Sequence, residues 1–196
     1  MQAPTKLNFK IYQGSTFQEV IRWESATKTY KTITNITQAA PCVITAAGHG
    51  MPVGWRFKVT NVGGMTDLNS SDNYQVASSV TTDTVTMNTV NSLGYKAYTT
   101  GGVIEYNTPV NLTGYTARMQ IRAKITDTTL IDEFTTANSK ISIDTNTYGI
   151  VIQVDATTTA AYTFSSGVYS LELVSPLGVV TQLCSGTVTL IKEVTR

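Results

Sequence analysis

Cys42-Val43-Ile44-Thr45-Ala46-Ala47-Gly48-His49-Gly50-Met51-Pro52-Val53-Gly54-Trp55-Arg56-Phe57-Lys58-Val59 reads as strand, tight loop and strand. Cys42–Thr45 is rich in β-branched residues, and Trp55, Phe57 and Val59 alternate with polar neighbours at the period of a half-buried strand. Between them, glycine takes positive φ without a Cβ clash and Pro52 cannot donate to a ladder. Outward from this core, Gly63-Gly64 turns the chain, Tyr74–Val76 and Thr84–Met87 read as two more strands, and Tyr98–Val103 closes the set. The stretch Ile36–Tyr106 therefore reads as a small β module of four or five short strands. We expect it to close as a barrel, because closure removes exposed strand edges.

Without that stretch the flanks join sensibly. Lys6–Tyr30 holds two strand-like runs, around Leu7–Ile11 and Phe17–Trp23, with Glu19 breaking the alternation of the second. Asn107–Arg196 holds five or six more. Tyr115, Met119 and Ile121 alternate with polar residues, as do Ile141 and Ile143, and then Ile150, Ile152 and Val154. Leu130–Phe134 is a short strand, and Val179–Ile191 is a long final one with a bulge expected at Gly186. The best helix candidate is Asp155–Ala161, one or two turns with Asp155 as N-cap. The expected fold is all-β. Residues 1–35 plus 107–196 would form a discontinuous immunoglobulin-like sandwich, and 36–106 the inserted barrel. An embedded module suits display or adaptor work better than a compact enzyme.

Composition narrows the function. The hydrophobic fraction of 41% suffices for packed cores, while charged residues are only 14%, against ~25% in ordinary globular proteins. Threonine covers much of the polar surface, and its branched Cβ favours strands. A net charge of +1 provides no field to steer nucleic acid or anionic lipid. Arg118, Arg122 and Lys124 form the densest basic patch, read as a solvated strand face. Met1–Thr16 has no apolar signal-peptide core, and no run reaches the ~18–20 apolar residues of a membrane-spanning helix. Cys42 and Cys184 read as buried small hydrophobes in a reducing compartment. The sequons at Asn35, Asn69 and Asn111 read as chance matches in a Thr-rich chain.

Ser166-Gly167-Val168-Tyr169-Ser170-Leu171-Glu172-Leu173 resembles the corner of immunoglobulin-like sandwiches, where a tyrosine hydroxyl bonds back to the backbone and the residue two later enters the core. Tyr169 and Leu171 fit those roles. Two wider resemblances agree with the nesting. The insert is similar to the first catalytic-cysteine half-domain of ubiquitin-activating enzymes at Thr45–Gly54, Val62–Asn69 and Tyr98–Gly102. That module, despite its name, carries no catalytic cysteine, so Cys42 is not read as a nucleophile. The flanks resemble a β-sandwich family of tailed-phage structural proteins that includes collar proteins anchoring L-shaped tail fibres. The resemblance runs through Asn8–Phe17, Leu112–Arg122, Gly167–Leu173 and the C-terminal run Gly186–Arg196.

Little in the chain supports chemistry. His49 is the single histidine and sits between glycines, where an imidazole bonded to loop backbone is the better account than a base or a zinc ligand. Asp132-Glu133, Asp144 and Asp155 are the carboxylates considered for glycoside hydrolysis. Adjacent strand residues face opposite sides, so Asp132 and Glu133 cannot easily flank one bond. Asp144-Thr145-Asn146 and Asp67-Leu68-Asn69 lack the terminal glutamate of a calcium loop and read as turns. Trp23 and Trp55 read as core, while Tyr95 and Tyr98 are open to either a core or a contact role. No catalytic, cofactor or metal residue is assigned.

The expectation is a non-enzymatic virion protein, in the tail and assembled in host cytoplasm, that forms a symmetric ring of copies and holds fibres or other tail proteins. It would engage neither nucleic acid nor membrane. Capsid decoration, a head–tail junction, or a carbohydrate-binding module contacting the host surface are the alternatives.

Overall fold

The structure is a computed structural model that describes residues 4–69 and 73–194. The ends of two sequence readings lie outside the described residues: Ser70-Ser71 of the Asn69 sequon and Thr195-Arg196 of the C-terminal resembling run. Among the described residues the protein is all-β, with one short α-helix and one 3-10 turn at Thr66–Leu68. The chain divides into two compact units, Met1–Trp23 with Asn111–Arg196 and the intervening Glu24–Val110.

The discontinuous unit begins with β1 (Thr5–Lys6), β2 (Phe9–Tyr12) and β3 (Phe17–Arg22). The chain then builds the second unit with β4 (Glu24–Thr32), β5 (Asn35–Ile36), β6 (Cys42–Thr45), β7 (Arg56–Gly63), β8 (Gln75–Val76), β9 (Ser79–Val80), β10 (Thr84–Met87) and β11 (Thr100–Pro109). It returns with β12 (Thr116–Arg122), β13 (Asp132–Thr135), β14 (Ile141–Asp144), β15 (Gly149–Val154), α1 (Ala156–Ala160), β16 (Ser166–Val174) and β17 (Val180–Ile191).

In the discontinuous unit, β17–β16–β12–β13 run in that order, and both β1 and β2 lie parallel along the outer side of β17. The other sheet is β14–β15–β3. Alternation builds both. Ala117, Met119 and Ile121 of β12, Tyr169, Leu171 and Leu173 of β16, and Ile150, Ile152 and Val154 of β15 are all buried. Burying each large aliphatic side chain contributes ~1.5–3 kcal/mol. Phe9 joins the two sheets: its ring stacks on Tyr169 at 4.9 Å and meets Phe17 edge-on at 5.6 Å. Glu19 falls in register with buried Ile152 yet is solvent-exposed. A charge on the inner side of an edge strand discourages further pairing.

Asp155 caps α1 as the sequence predicts, accepting from the Thr158 N–H at 2.7 Å. The Tyr169 hydroxyl bonds to backbone as expected, donating to the Leu7 carbonyl at 2.7 Å, and Leu171 is buried. The N-terminal segment lies along β17 within its reach. One expectation is corrected. The β17 bulge falls at Leu183, where Leu171 pairs with Cys184 and Glu172 with Gln182, not at Gly186. Gly186 is needed for a different reason: a Cβ there would stand 2.0 Å from the Leu7 carbonyl oxygen.

In the second unit the strands form two four-stranded sheets, β5–β6–β10–β9 and β4–β11–β7–β8, with no closed barrel among the described residues. The expected closure gives way to two corners where the chain bends from one sheet to the other. At the first, Ile33 N–H donates to Gly102 and Thr34 N–H to Thr45; at the second, Ala77 N–H donates to Trp55 and Ser78 N–H to Thr86. Strands that switch sheets at such corners are a usual solution in crossed packings. The core holds Ile44, Val85 and Met87 from one sheet, and Phe57, Val59 and Ile104 from the other.

The unit boundary also moves. Glu24–Thr32 is antiparallel to β11, with Lys31 opposite Ile104 and Glu24 opposite Pro109. Those hydrogen bonds place residues 24–35 and 107–110 in the inserted unit and not with the flanks, as 1–35 plus 107–196 had supposed.

Candidate functional site

The outward face of β4–β11–β7–β8 carries exposed tyrosines beside ion-paired side chains. Its side chains follow from the pleat. Ile104 and Tyr106 of β11 and Phe57 and Val59 of β7 point into the core, so Val103, Glu105 and Asn107, with Arg56, Lys58 and Thr60, point out. The ladder sets the rows. Tyr30 stands opposite Glu105, and Glu105 opposite Lys58. The β7–β8 register of Arg56 with Val76 brings Tyr74 alongside Lys58. One row thus reads Tyr30, Glu105, Lys58, Tyr74, and the next reads Lys28, Asn107, Arg56, Val76.

Two ion pairs lie on this face. Lys28 pairs with Glu105 across β4 and β11, and Arg56 grips Glu24 through Nε at 2.6 Å and a second guanidinium nitrogen at 2.7 Å. The Glu105 hydrogen bond and charge raise the Lys28 pKa above its ordinary value, and the Glu24 hydrogen bond does the same for Arg56. The Arg56 guanidinium lies 4.7 Å and the Lys58 ammonium 4.9 Å from the centre of the Tyr74 ring, within cation–π range. Tyr30 and Tyr74 remain 59% and 42% exposed, so aromatic surface is open to solvent at both ends of one row.

The residues singled out from sequence are dispersed. His49 is buried in its loop, with Nδ1 accepting from the Met51 N–H at 3.0 Å and Nε2 donating to the Thr84 carbonyl at 3.1 Å. Both ring nitrogens hold backbone, and the His49 carbonyl accepts from the Tyr106 hydroxyl. Asp132 binds Lys140 at 2.6 and 2.7 Å and accepts from Tyr162. Its neighbour Glu133 faces the other way and accepts from Gln120 at 2.7 Å. Burial, and then the bond to Asp132, pushes the Tyr162 phenol far above its ordinary value.

Asp144 closes a turn on Asn146 and Thr147, and Asp155 caps α1. Both carboxyls are held below the usual range, Asp144 chiefly by the Thr147 hydroxyl and Asp155 by the Thr158 N–H. The Asn69 side chain is spent on both backbone groups of Val62. Among the described residues, no three or more His, Cys, Asp or Glu gather as a metal site.

Trp55 is fully buried and donates to the Asn107 carbonyl at 2.8 Å, while Trp23 meets Tyr115 edge-on at 6.2 Å. Tyr98 is half-buried and donates to the Ile33 and Gly101 carbonyls. Both cysteines are free and buried, one in each unit, and burial raises both thiol pKa values. Arg118 pairs with Glu172 at 2.7 Å, and Arg122 donates to the Asp127 and Thr128 carbonyls and to Gln120. A shallow depression on that face is lined by Arg118, Gln120, Glu133, Ser170 and Glu172, all polar and largely bonded to each other.

Sequence reasoning passed over Tyr30, Tyr74, Lys28 and Glu105. The signal was there as alternation: Lys28 and Tyr30 alternate with threonines, and Val103, Glu105 and Asn107 alternate with buried Ile104 and Tyr106. What was missing was the pairing that puts these runs side by side.

No helix among the described residues is long and apolar enough to cross a membrane. A comparison of the chain with protein-family models found no match, and a comparison with curated proteins found none either.

Proposed function

We propose that this chain is a non-enzymatic structural subunit of a tailed-phage virion, a collar or adaptor in the tail that assembles as a ring and holds fibres or neighbouring tail proteins. The observation that carries the reading is the way the insert is spliced. Glu24 and Pro109 are opposed on adjacent antiparallel strands, so the inserted unit begins and ends side by side. The flanking strands have partners of their own, β3 with β15 and β12 with β16. A sandwich that is complete without its insert can present that insert to another protein.

The strand order supports the outer-module resemblance. β13–β12–β16–β17 over β3–β15–β14 follows the C′-C-F-G and B-E-D order of immunoglobulin-like sandwiches. Ring assembly is consistent with a polar, weakly charged surface, since contacts between copies about a rotation axis close without a leftover face. The test is the solution mass of the full chain, together with negative-stain images of it alone and mixed with tail proteins of its parent phage. Closed rings are expected. A strict monomer in both settings overturns the reading.

A further inference from the structure

We propose that the outward face of β4–β11–β7–β8 binds a neutral oligosaccharide, with Tyr30 and Tyr74 as stacking platforms and the polar groups between them as hydroxyl partners. The two tyrosines end one cross-strand row, three strand spacings apart. At ~4.8 Å per spacing that is ~14 Å, room for several sugar rings laid across the strands. Between them stand Glu105 and Lys58, with Lys28, Asn107 and Arg56 beside them. A sugar hydroxyl both donates and accepts, so it can bond an ammonium and a carboxylate that already face each other. The weakly positive C–H faces of a sugar suit the negative face of a tyrosine ring; at Tyr74 the sugar shares the ring with Arg56 and Lys58, which lie 4.7 and 4.9 Å from its centre.

The alternatives fit less well. An anionic polymer needs cations that are free to exchange their counterions, whereas Lys28 and Arg56 each already hold a carboxylate. A protein partner would bury an interface core depleted of charge, and here the centre of the face is a glutamate between two lysines. The aromatic surface lies at the rim of the charged centre, the arrangement for a ligand that is apolar on its ring faces and polar at its edges. This inference stands apart from ring assembly and survives if the chain is a monomer.

The experiment probes the full chain on an array of neutral and acidic bacterial surface glycans and plant or fungal oligosaccharides. It is followed by saturation-transfer NMR with cellotetraose, maltotetraose, chitotetraose and any glycan the array captures. Binding of a neutral glycan is expected, with chemical-shift changes centred on Tyr30, Glu105, Lys58 and Tyr74. Tyr30→Ala and Tyr74→Ala should each weaken it at least tenfold, whereas Tyr12→Ala should leave it unchanged. Tyr30 sits on an exposed edge strand, so Tyr30→Ala alone decides the matter if Tyr74→Ala fails to fold. Silence across the array, capture of acidic glycans only, or neutral-glycan binding that both tyrosine variants retain would each overturn the proposal.

Discussion

The Tyr169 hydroxyl donates to the Leu7 carbonyl at 2.7 Å, joining positions 162 residues apart in sequence. The same ring stacks on Phe9, and its oxygen lies 3.7 Å from the Cys184 sulfur. One side chain of β16 thus fastens the N-terminal strands to a sheet whose other members come from the end of the chain. Tyr169→Phe keeps the ring and deletes the bond. The expected loss is ~1 kcal/mol, read as a lower urea midpoint at unchanged slope. No shift would mean that water replaces the phenol at Leu7.

Gly186→Ala should be the harsher change. Its Cβ would meet the Leu7 carbonyl oxygen at 2.0 Å and Asn8 Oδ1 at 2.8 Å. Since the nearer obstacle is backbone, the N-terminal segment must move, at a cost of roughly 1–3 kcal/mol. Hydrogen exchange checks the cause: the Leu7 amide, which bonds to Ser185 at 3.0 Å, should lose protection while β12 keeps its own. Retained protection at Leu7 contradicts this account.

Residues 24–110 should be removable. Opposed residues of an antiparallel pair have Cα atoms ~4.5–5.5 Å apart, so a short Gly-Ser linker can replace the insert between Trp23 and Asn111. The shortened chain is expected to unfold cooperatively and to show dispersed NMR signals. A molten product would show that the sandwich depends on its insert.

Acid should unfold the protein partly through its turn and cap carboxylates. Asp155 and Asp144 are both shifted down in the folded state. Their contribution is therefore complete above the unfolded value of ~3.9 and is lost as pH falls below it toward the lower folded values. Asp155→Asn retains a capping oxygen without the titration. Its urea midpoint should lie near wild type at pH 6 and fall less steeply between pH 4 and 2. Parallel curves would remove Asp155 from the explanation.

Alkali should act on two phenols. Tyr162 and Tyr169 are both pushed up, first by burial. Their stabilisation is present below the ordinary value of ~10 and declines as pH rises above it. Absorbance at 295 nm should show Tyr162 and Tyr169, at least, among the ten tyrosines ionising late, together with unfolding. A single smooth titration of all ten in the folded protein would contradict this.

The strands were legible in sequence wherever one face is buried and the other wet. The alternations around Met119, Ile152 and Leu171 became β12, β15 and β16, because a two-residue period survives in the sequence whatever the strand pairs with. Glu24–Thr32 was missed as a strand for the opposite reason. It is an edge strand with mostly exposed side chains, so no apolar alternation marks it. The same edge holds Lys28 and Tyr30, which is why the proposed binding row was invisible too. The dispersed carboxylates and the lone histidine were legible as turn and loop chemistry, since Asx turns and N-caps are local and need only neighbouring residues.

Local pattern alone thus established the all-β character, the helix cap at Asp155 and the inward residues of most strands, because these depend on interactions within a few positions of the chain. Pairing decided the rest: that Glu24–Thr32 belongs to the insert, that the insert forms two sheets joined at corners, that Tyr169 reaches Leu7, and that Tyr30 and Tyr74 share a row. Those outcomes rest on hydrogen bonds between segments tens to more than a hundred residues apart, and a linear sequence does not carry the register of partners it has yet to meet.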